Sequence, residues 1–88
     1  MKICVIEGTA LADAAAIYGM LAAAFGFPAY FGNNPDALWD ALGEYSGEPV
    51  EIIWRDGGSA ERLGAGATTI LHVLEQAEAA GRLILRRR

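Results

Sequence analysis

The sequence predicts an α/β protein in which a three-stranded parallel sheet packs against helices. Three short runs rich in Val, Ile and Leu are each long enough for one strand, and segments with helical periodicity separate them. Strands that alternate with helices favour parallel pairing through right-handed crossovers, so the expected element order is β-α-α-β-α-α-β. A chain of 88 residues can bury one modest core, and we expect a single domain over residues 1–88.

The three strands are predicted at Lys2–Glu7, Val50–Trp54 and Leu83–Leu85. Residues 3–6 of the first strand form an unbroken apolar run, which is typical of a strand buried on both faces. The sequence Ser-Gly-Glu-Pro at 46–49 predicts the turn before the second strand.

Helical segments fill the spaces between the strands. Asp13 can cap a helix that runs to about Phe25, and a longer helix is predicted from residue 65 or 66 to about residue 80. Before that longer helix, residues 60–63 fit one short helical turn. The core sides of the two longer helices should carry Ile17, Met20, Leu21, Phe25, Ile70, Val73, Leu74 and Ala77. The residues expected to end these helices are Gly26, Pro28 and Gly81.

A further helix is predicted to begin after Asn34 and to run to about Gly43. Asn34 is a good N-cap, because its side-chain oxygen can accept a hydrogen bond from the first turn. Pro35 suits the first helical position, where no backbone N–H is needed. The core face of this helix should carry Leu38, Ala41 and Leu42.

The opposite face of this helix carries two carboxylates and a large aromatic side chain. At 3.6 residues per turn, Asp36, Asp40 and Gly43 fall along one stripe, with Trp39 on its flank. No Lys or Arg lies three or four residues from either aspartate, and the two like charges cost about 0.2–0.5 kcal/mol. Two interpretations stay open, because acidic stripes are usually solvated surface, whereas a Trp beside charge is typical of interface hot spots.

The charge balance argues against some classes of partner. The net charge is −4, and residues 86–88 supply three of the seven basic side chains. Residues 1–85 therefore carry four basic and eleven acidic side chains, a balance of −7. Such a surface repels nucleic acid and attracts basic proteins, so we expect no direct contact with nucleic acid.

Neither a membrane nor an oxidising compartment is indicated. Residues 14–35 carry no charge, but Gly, Pro and Asn interrupt the stretch too often for a transmembrane helix. The N-terminal apolar run stops at Glu7 and is too short for a signal peptide. Cys4, the only cysteine, cannot form an internal disulfide and suits the reducing cytoplasm.

The chain lacks the residue sets that most enzymes need. It has one His, one Cys and no glycine-rich phosphate-binding loop. Asp36 and Asp40 could pair as acid and base, but an exposed helix offers no burial that would divide those roles between them. A metal site from Asp36, Asp40 and His72 would need distant elements to converge without a fourth ligand. We therefore expect no catalytic residue, no metal and no cofactor.

Residues 30–40, Tyr-Phe-Gly-Asn-Asn-Pro-Asp-Ala-Leu-Trp-Asp, resemble the barstar family, intracellular inhibitors of barnase-type bacterial ribonucleases. The family pattern is an aromatic pair, Gly, a polar residue, Asn, one variable residue and Asp-Ala-Leu-Trp-Asp, and it is matched without a gap. Further support lies in Phe27-Pro28, Pro49, the Trp-Arg pair at 54–55 and Ala77–Gly81. The resemblance implies a barstar-like fold, a three-stranded parallel sheet packed with helices.

The resemblance also implies which residues meet the ribonuclease. Asp40 matches the carboxylate that takes the place of a substrate phosphate in the enzyme's active site. Asp36 matches a second acidic contact, and Tyr30 an aromatic that packs against the catalytic histidine. The positions implied for partner binding are Tyr30, Gly32, Asn34, Asp36, Trp39, Asp40, Gly43 and Gln76.

Some positions depart from the family. Gln76 and Ala80 stand where the family has acidic residues, and Glu75 lies about 100° around the helix from Gln76. Other departures are at Pro35, Tyr45, Ala41 and Arg82, the last two being the positions of the family's cysteines. These changes bear on the affinity for barnase itself.

The resulting hypothesis is a cytoplasmic immunity protein that blocks a bacterial toxin with acidic residues in place of RNA phosphates. The expected partner is a secreted basic ribonuclease of the barnase type, and the inhibitor should be monomeric when free, with no membrane contact. The alternative is a barstar-like adaptor that binds another basic protein or a non-barnase toxin.

Overall fold

The computed structural model describes residues 1–8, 13–28, 31–55 and 63–88. The described elements are β1 (Lys2–Glu7), α1 (Ala15–Phe25), α2 (Pro35–Glu44), β2 (Val50–Arg55), α3 (Ala65–Ala79) and β3 (Ile84–Arg87). Their order, β-α-α-β-α-β, confirms the predicted α/β class. The short helical turn predicted at 60–63 falls almost wholly outside the described residues.

The three strands form one parallel sheet in the order β1-β2-β3. Lys2 lies opposite Val50, and Glu51 of the central strand lies opposite Ile84. The predicted third strand, Leu83–Leu85, is shifted and lengthened to Ile84–Arg87. Its pairing with β2 continues past the apolar residues, because the charged Arg86 forms an ion pair with Glu51 across the strands.

The prediction that β1 is buried on both faces is wrong. Cys4 and Ile6 are buried, but Ile3 is 59% exposed and Val5 is 40% exposed. Successive side chains of a strand point to opposite faces, and the described helices cover only the face that carries Cys4 and Ile6. The other face of the sheet, called here the open face, carries Ile3, Val5 and an ion pair between Glu7 and Arg55.

The ends of α1 and α3 follow the predicted signals. The Asp13 carboxylate accepts a hydrogen bond from the Ala16 N–H at 3.1 Å and so caps α1. Gly26 follows α1 with a φ of 72°, and Gly81 lies just beyond α3 with a φ of 79°, a left-handed conformation that glycine adopts without strain.

The core side of α1 matches the prediction with one exchange, and α3 buries all four predicted residues and two more. In α1 the buried residues are Ile17, Tyr18, Leu21 and Phe25, whereas Met20 is only half-buried. The ring centroids of Tyr18 and Phe31 lie 6.1 Å apart, so Tyr18 packs against an aromatic side chain that borders the core. In α3 the buried residues are Ala67, Ile70, Leu71, Val73, Leu74 and Ala77.

Helix α2 packs mainly against α3. Leu38 and Leu42 of α2 are buried at 0% and 2% exposure, whereas Ala41, which was also predicted on the core face, is only partly buried. The opposite side of the helix faces solvent. Within the described ranges, no helix is both long and apolar enough to cross a membrane.

Candidate partner-binding face on helix α2

The loop before α2 is tied to the first turn of that helix through Asn34. The Asn34 side-chain oxygen accepts a hydrogen bond from the Ala37 N–H at 2.8 Å, and its Nδ2 donates to the Gly32 carbonyl at 2.9 Å. Pro35 occupies the start of the helix, as predicted. Both polar ends of Asn34 are therefore used to fix the start of α2 and the direction of its side chains.

The predicted acidic stripe lies on the solvent side of α2. Asp36, Asp40 and Gly43 are exposed, and Trp39 retains 39% exposure, which is large for an aromatic side chain. Across residues 1–8, 13–28, 31–55 and 63–88, no ion pair involves Asp36, Asp40 or Glu44. A partner can therefore reach these carboxylates without breaking an ion pair within the described part of the chain.

An aromatic groove, which sequence reasoning missed, lies beside the acidic face. Its volume is about 530 Å³, and its lining includes the side chains of Phe25, Phe27, Phe31, Tyr45, Asp40 and Glu44. Ring centroids within this set lie 4.8–5.4 Å apart. Asp40 and Glu44 reach the groove together because residues four apart on a helix share one side. An apolar floor with carboxylates at the rim suits a cationic side chain that also carries apolar or planar surface.

The structure adds a basic residue to this face. The guanidinium carbon of Arg82 lies 5.9 Å from the centre of the Trp39 ring, and Arg82 Nη1 donates to the Gly43 carbonyl at 3.2 Å. The sequence showed no cation within one turn of the aspartates, but Arg82 is 39 residues from Gly43. Only the packing of α2 against α3 brings these residues together.

Gln76 lies exposed near the end of α3, on the helix that supports α2. Its Nε2 is 3.1 Å from Nε2 of His72, which is also exposed. The neighbouring Glu75 turns toward β3 and lies 3.9 Å from Arg87. Tyr30, the remaining residue of the implied site, lies outside the described residues.

Cys4 lies in the core and away from the acidic face. Burial raises the pKa of the Cys4 thiol above its ordinary value of 9.0, which disfavours the reactive thiolate. In the described part of the chain, no three His, Cys, Asp or Glu side chains converge in a way that could hold a metal ion.

Two comparisons with known proteins bear on the family of this chain. The family model described as "Barstar (barnase inhibitor)" matches residues 1–85. The chain is also similar to the Bacillus subtilis (strain 168) protein named "Putative ribonuclease inhibitor YrdF", with 28% identity over 79 residues, 89% of this chain and 87% of that protein. The resemblance drawn from residues 30–40 is confirmed, and it points to an inhibitor rather than a catalyst. Because the family model spans nearly the whole sequence, the chain belongs to the Barstar (barnase inhibitor) family.

Proposed function

We propose that this chain inhibits a cationic, barnase-type ribonuclease by covering the enzyme's active site with the acidic face of α2. One observation carries the proposal. In a chain that belongs to a family of barnase inhibitors, Asp36 and Asp40 stand exposed beside Trp39, and no ion pair of the described residues uses either carboxylate.

The mechanism follows from the chemistry of the substrate. An enzyme that binds a polyanion such as RNA must present a basic cleft, and a rigid acidic surface can fill that cleft. Asp40 supplies the charge that replaces an RNA phosphate, and Asp36 supplies a second contact one turn earlier. Trp39 adds apolar surface, which shields these charge-assisted contacts from water.

The other implied positions support this face in different ways. Asn34 acts by fixing the start of α2, since its side chain is already hydrogen-bonded within the chain. A Cβ at Gly32 would lie 3.0 Å from Nδ2 of Asn34, so a larger residue there would require the Asn34 side chain to shift. Tyr30, Gly43 and Gln76 complete the contact surface in this proposal.

The proposed setting is the cytoplasm of a bacterium that makes the ribonuclease as a secreted toxin. The chain would act there as an immunity protein, a monomeric single domain that uses no cofactor and touches neither RNA nor a membrane. A free, buried Cys4 is compatible with the reducing cytoplasm. The acidic balance of residues 1–85 favours encounter with a basic enzyme.

Inhibition of purified barnase, followed by cleavage of a fluorogenic RNA, tests the proposal directly. We expect the wild-type chain to suppress cleavage and to rescue bacterial cells that express barnase. The neutral residues at 76 and 80, where the family is acidic, should make this inhibition weaker than that by family members that keep both charges. A chain that leaves barnase active but pulls another basic protein out of its native lysate at low salt would support the alternative, an adaptor.

A further inference from the structure

We infer that Arg82 is a positioning residue of the partner-binding face, which holds Trp39 and the last turn of α2 in the geometry that the ribonuclease meets. This inference rests on the proposed function. It concerns a residue outside the set implied by the family, at a position where the family has a cysteine.

The contacts of Arg82 converge on two members of the partner-binding set. Its guanidinium carbon lies 5.9 Å from the Trp39 ring centre, within the range of a cation–π interaction. A Cβ built on Gly43 would lie 3.7 Å from Cζ and from Nη1 of Arg82, so the guanidinium lies directly against the Gly43 backbone. One side chain therefore contacts both the exposed aromatic and the adjacent turn of α2.

The electrostatics of α2 explain why a cation is stable at this place. The last carbonyl groups of a helix lack partners within the helix and form its negative end. The last turn of α2 contains no basic residue, and Arg82 donates to the Gly43 carbonyl from outside the helix. Arg82 thus satisfies an end carbonyl and restrains Trp39 at the same time.

Removal of Arg82 should raise both rate constants of binding, and these two changes act on the affinity in opposite directions. Arg82 places a positive charge on an otherwise acidic face, so its removal should speed association with a cationic enzyme. If Arg82 also holds Trp39 in place, its removal should speed dissociation, because Trp39 must then be ordered on binding. If Arg82 contributed only its charge, its removal would change the association rate constant and leave the dissociation rate constant unaltered.

The experiment compares Arg82→Gln and Arg82→Lys with wild type in stopped-flow association and dissociation from barnase. We expect Arg82→Gln to associate faster and to dissociate about fivefold faster, the effect of an exposed cation–π contact. Arg82→Lys should keep the wild-type association rate but dissociate faster. Lys keeps the positive charge but lacks the planar guanidinium, which stacks on the aromatic ring and presents several N–H donors in a fixed geometry. Arg55→Gln, a charge removal on the open face, is the matched control and should leave dissociation unchanged.

Tryptophan fluorescence of the free protein supplies a second readout that needs no ribonuclease. Trp39 is 39% exposed and Trp54 is fully buried, so acrylamide quenching reports on Trp39. Quenching should rise in both Arg82 variants and stay at the wild-type level in Arg55→Gln. Unchanged quenching, or a dissociation rate equal to wild type, would overturn the inference. A wild-type chain that fails to bind barnase would overturn the proposed function instead, and quenching would then decide whether Arg82 positions Trp39.

Discussion

The Asn34 side chain accepts a hydrogen bond from the Ala37 backbone N–H at 2.8 Å, and this contact sets where α2 begins. The side chains of Asp36 and Asp40 project from the two turns that follow. The hydrogen bond that caps α2 therefore determines where the acidic side chains of that helix lie.

Asn34→Ala should lower the free energy of unfolding by about 1 kcal/mol, because it leaves an N-terminal N–H of α2 without its acceptor. Chemical denaturation measures the change. Asn34→Asp restores an oxygen acceptor at the same place and should recover most of the lost stability. Equal stability of Asn34→Ala and wild type would show that the cap contributes nothing.

Association with the ribonuclease should be electrostatically steered. At low salt, the association rate constant should exceed the unsteered range of about 10⁵–10⁶ M⁻¹s⁻¹ and fall as salt rises, behaviour for which the barnase–barstar pair is a standard example. Asp36→Asn should reduce the salt dependence more than Glu7→Gln, which removes a charge from the open face. Stopped-flow rates that stay flat across the salt series would contradict steering.

Gln76→Glu should tighten binding to barnase, because the substitution restores an acidic residue where the family has one. The measurement is the dissociation constant at fixed salt. The double variant Glu75→Gln/Gln76→Glu moves the charge by one residue and leaves the net charge unchanged, so it separates position from total charge. Affinity that is equal or weaker in both variants would indicate a cognate ribonuclease with a different surface.

Stability should fall in alkaline solution through the Cys4 thiol. Burial raises the pKa of Cys4 above 9.0 in the folded chain, so the folded state holds this proton more tightly than the unfolded state. The stabilisation that the protonated thiol contributes is fully present below the pKa of Cys4 in the unfolded chain. It is lost as pH rises through the pKa of Cys4 in the folded chain. In denaturation series from pH 7 to pH 10, wild type should lose stability relative to Cys4→Ala as pH rises above the ordinary thiol pKa of 9.0. Parallel curves for the two proteins would contradict the claim.

Much of this fold could be predicted because its signals are local. Asn34 and Pro35 mark the start of α2 within two residues, and the helical spacing of Leu38 and Leu42 identifies its buried side. The same spacing places Asp36 and Asp40 on the solvent side.

The exposed face of β1, the aromatic groove and the Arg82 contacts could not be predicted, because they depend on which elements pack against each other in the folded chain. An apolar run does not show whether helices cover one face of a sheet or both, and Ile3 and Val5 proved exposed. The aromatic groove draws its rings from separate segments of the chain. Arg82 lies far from Trp39 and Gly43 along the chain, so no pattern in the sequence indicates their contact.

Asp40→Ala separates the inhibitory role of the acidic face from the stability of the fold. Asp40 is exposed, lies one turn from the like charge of Asp36, and forms no ion pair among the described residues. Its removal should therefore change the free energy of unfolding by no more than a few tenths of a kcal/mol, about 0.2–0.5 in the stabilising direction.

The decisive measurement is the inhibition constant of Asp40→Ala against barnase, with thermal unfolding of the same sample as its control for folding. We expect a loss above about 2 kcal/mol of binding free energy, the threshold for an interface hot spot, a class for which barstar is a standard example. Glu7→Gln, which removes one charge from the open face, should inhibit at nearly wild-type strength. An Asp40→Ala variant that folds normally and inhibits as strongly as wild type would show that Asp40 is not the centre of the inhibitory surface.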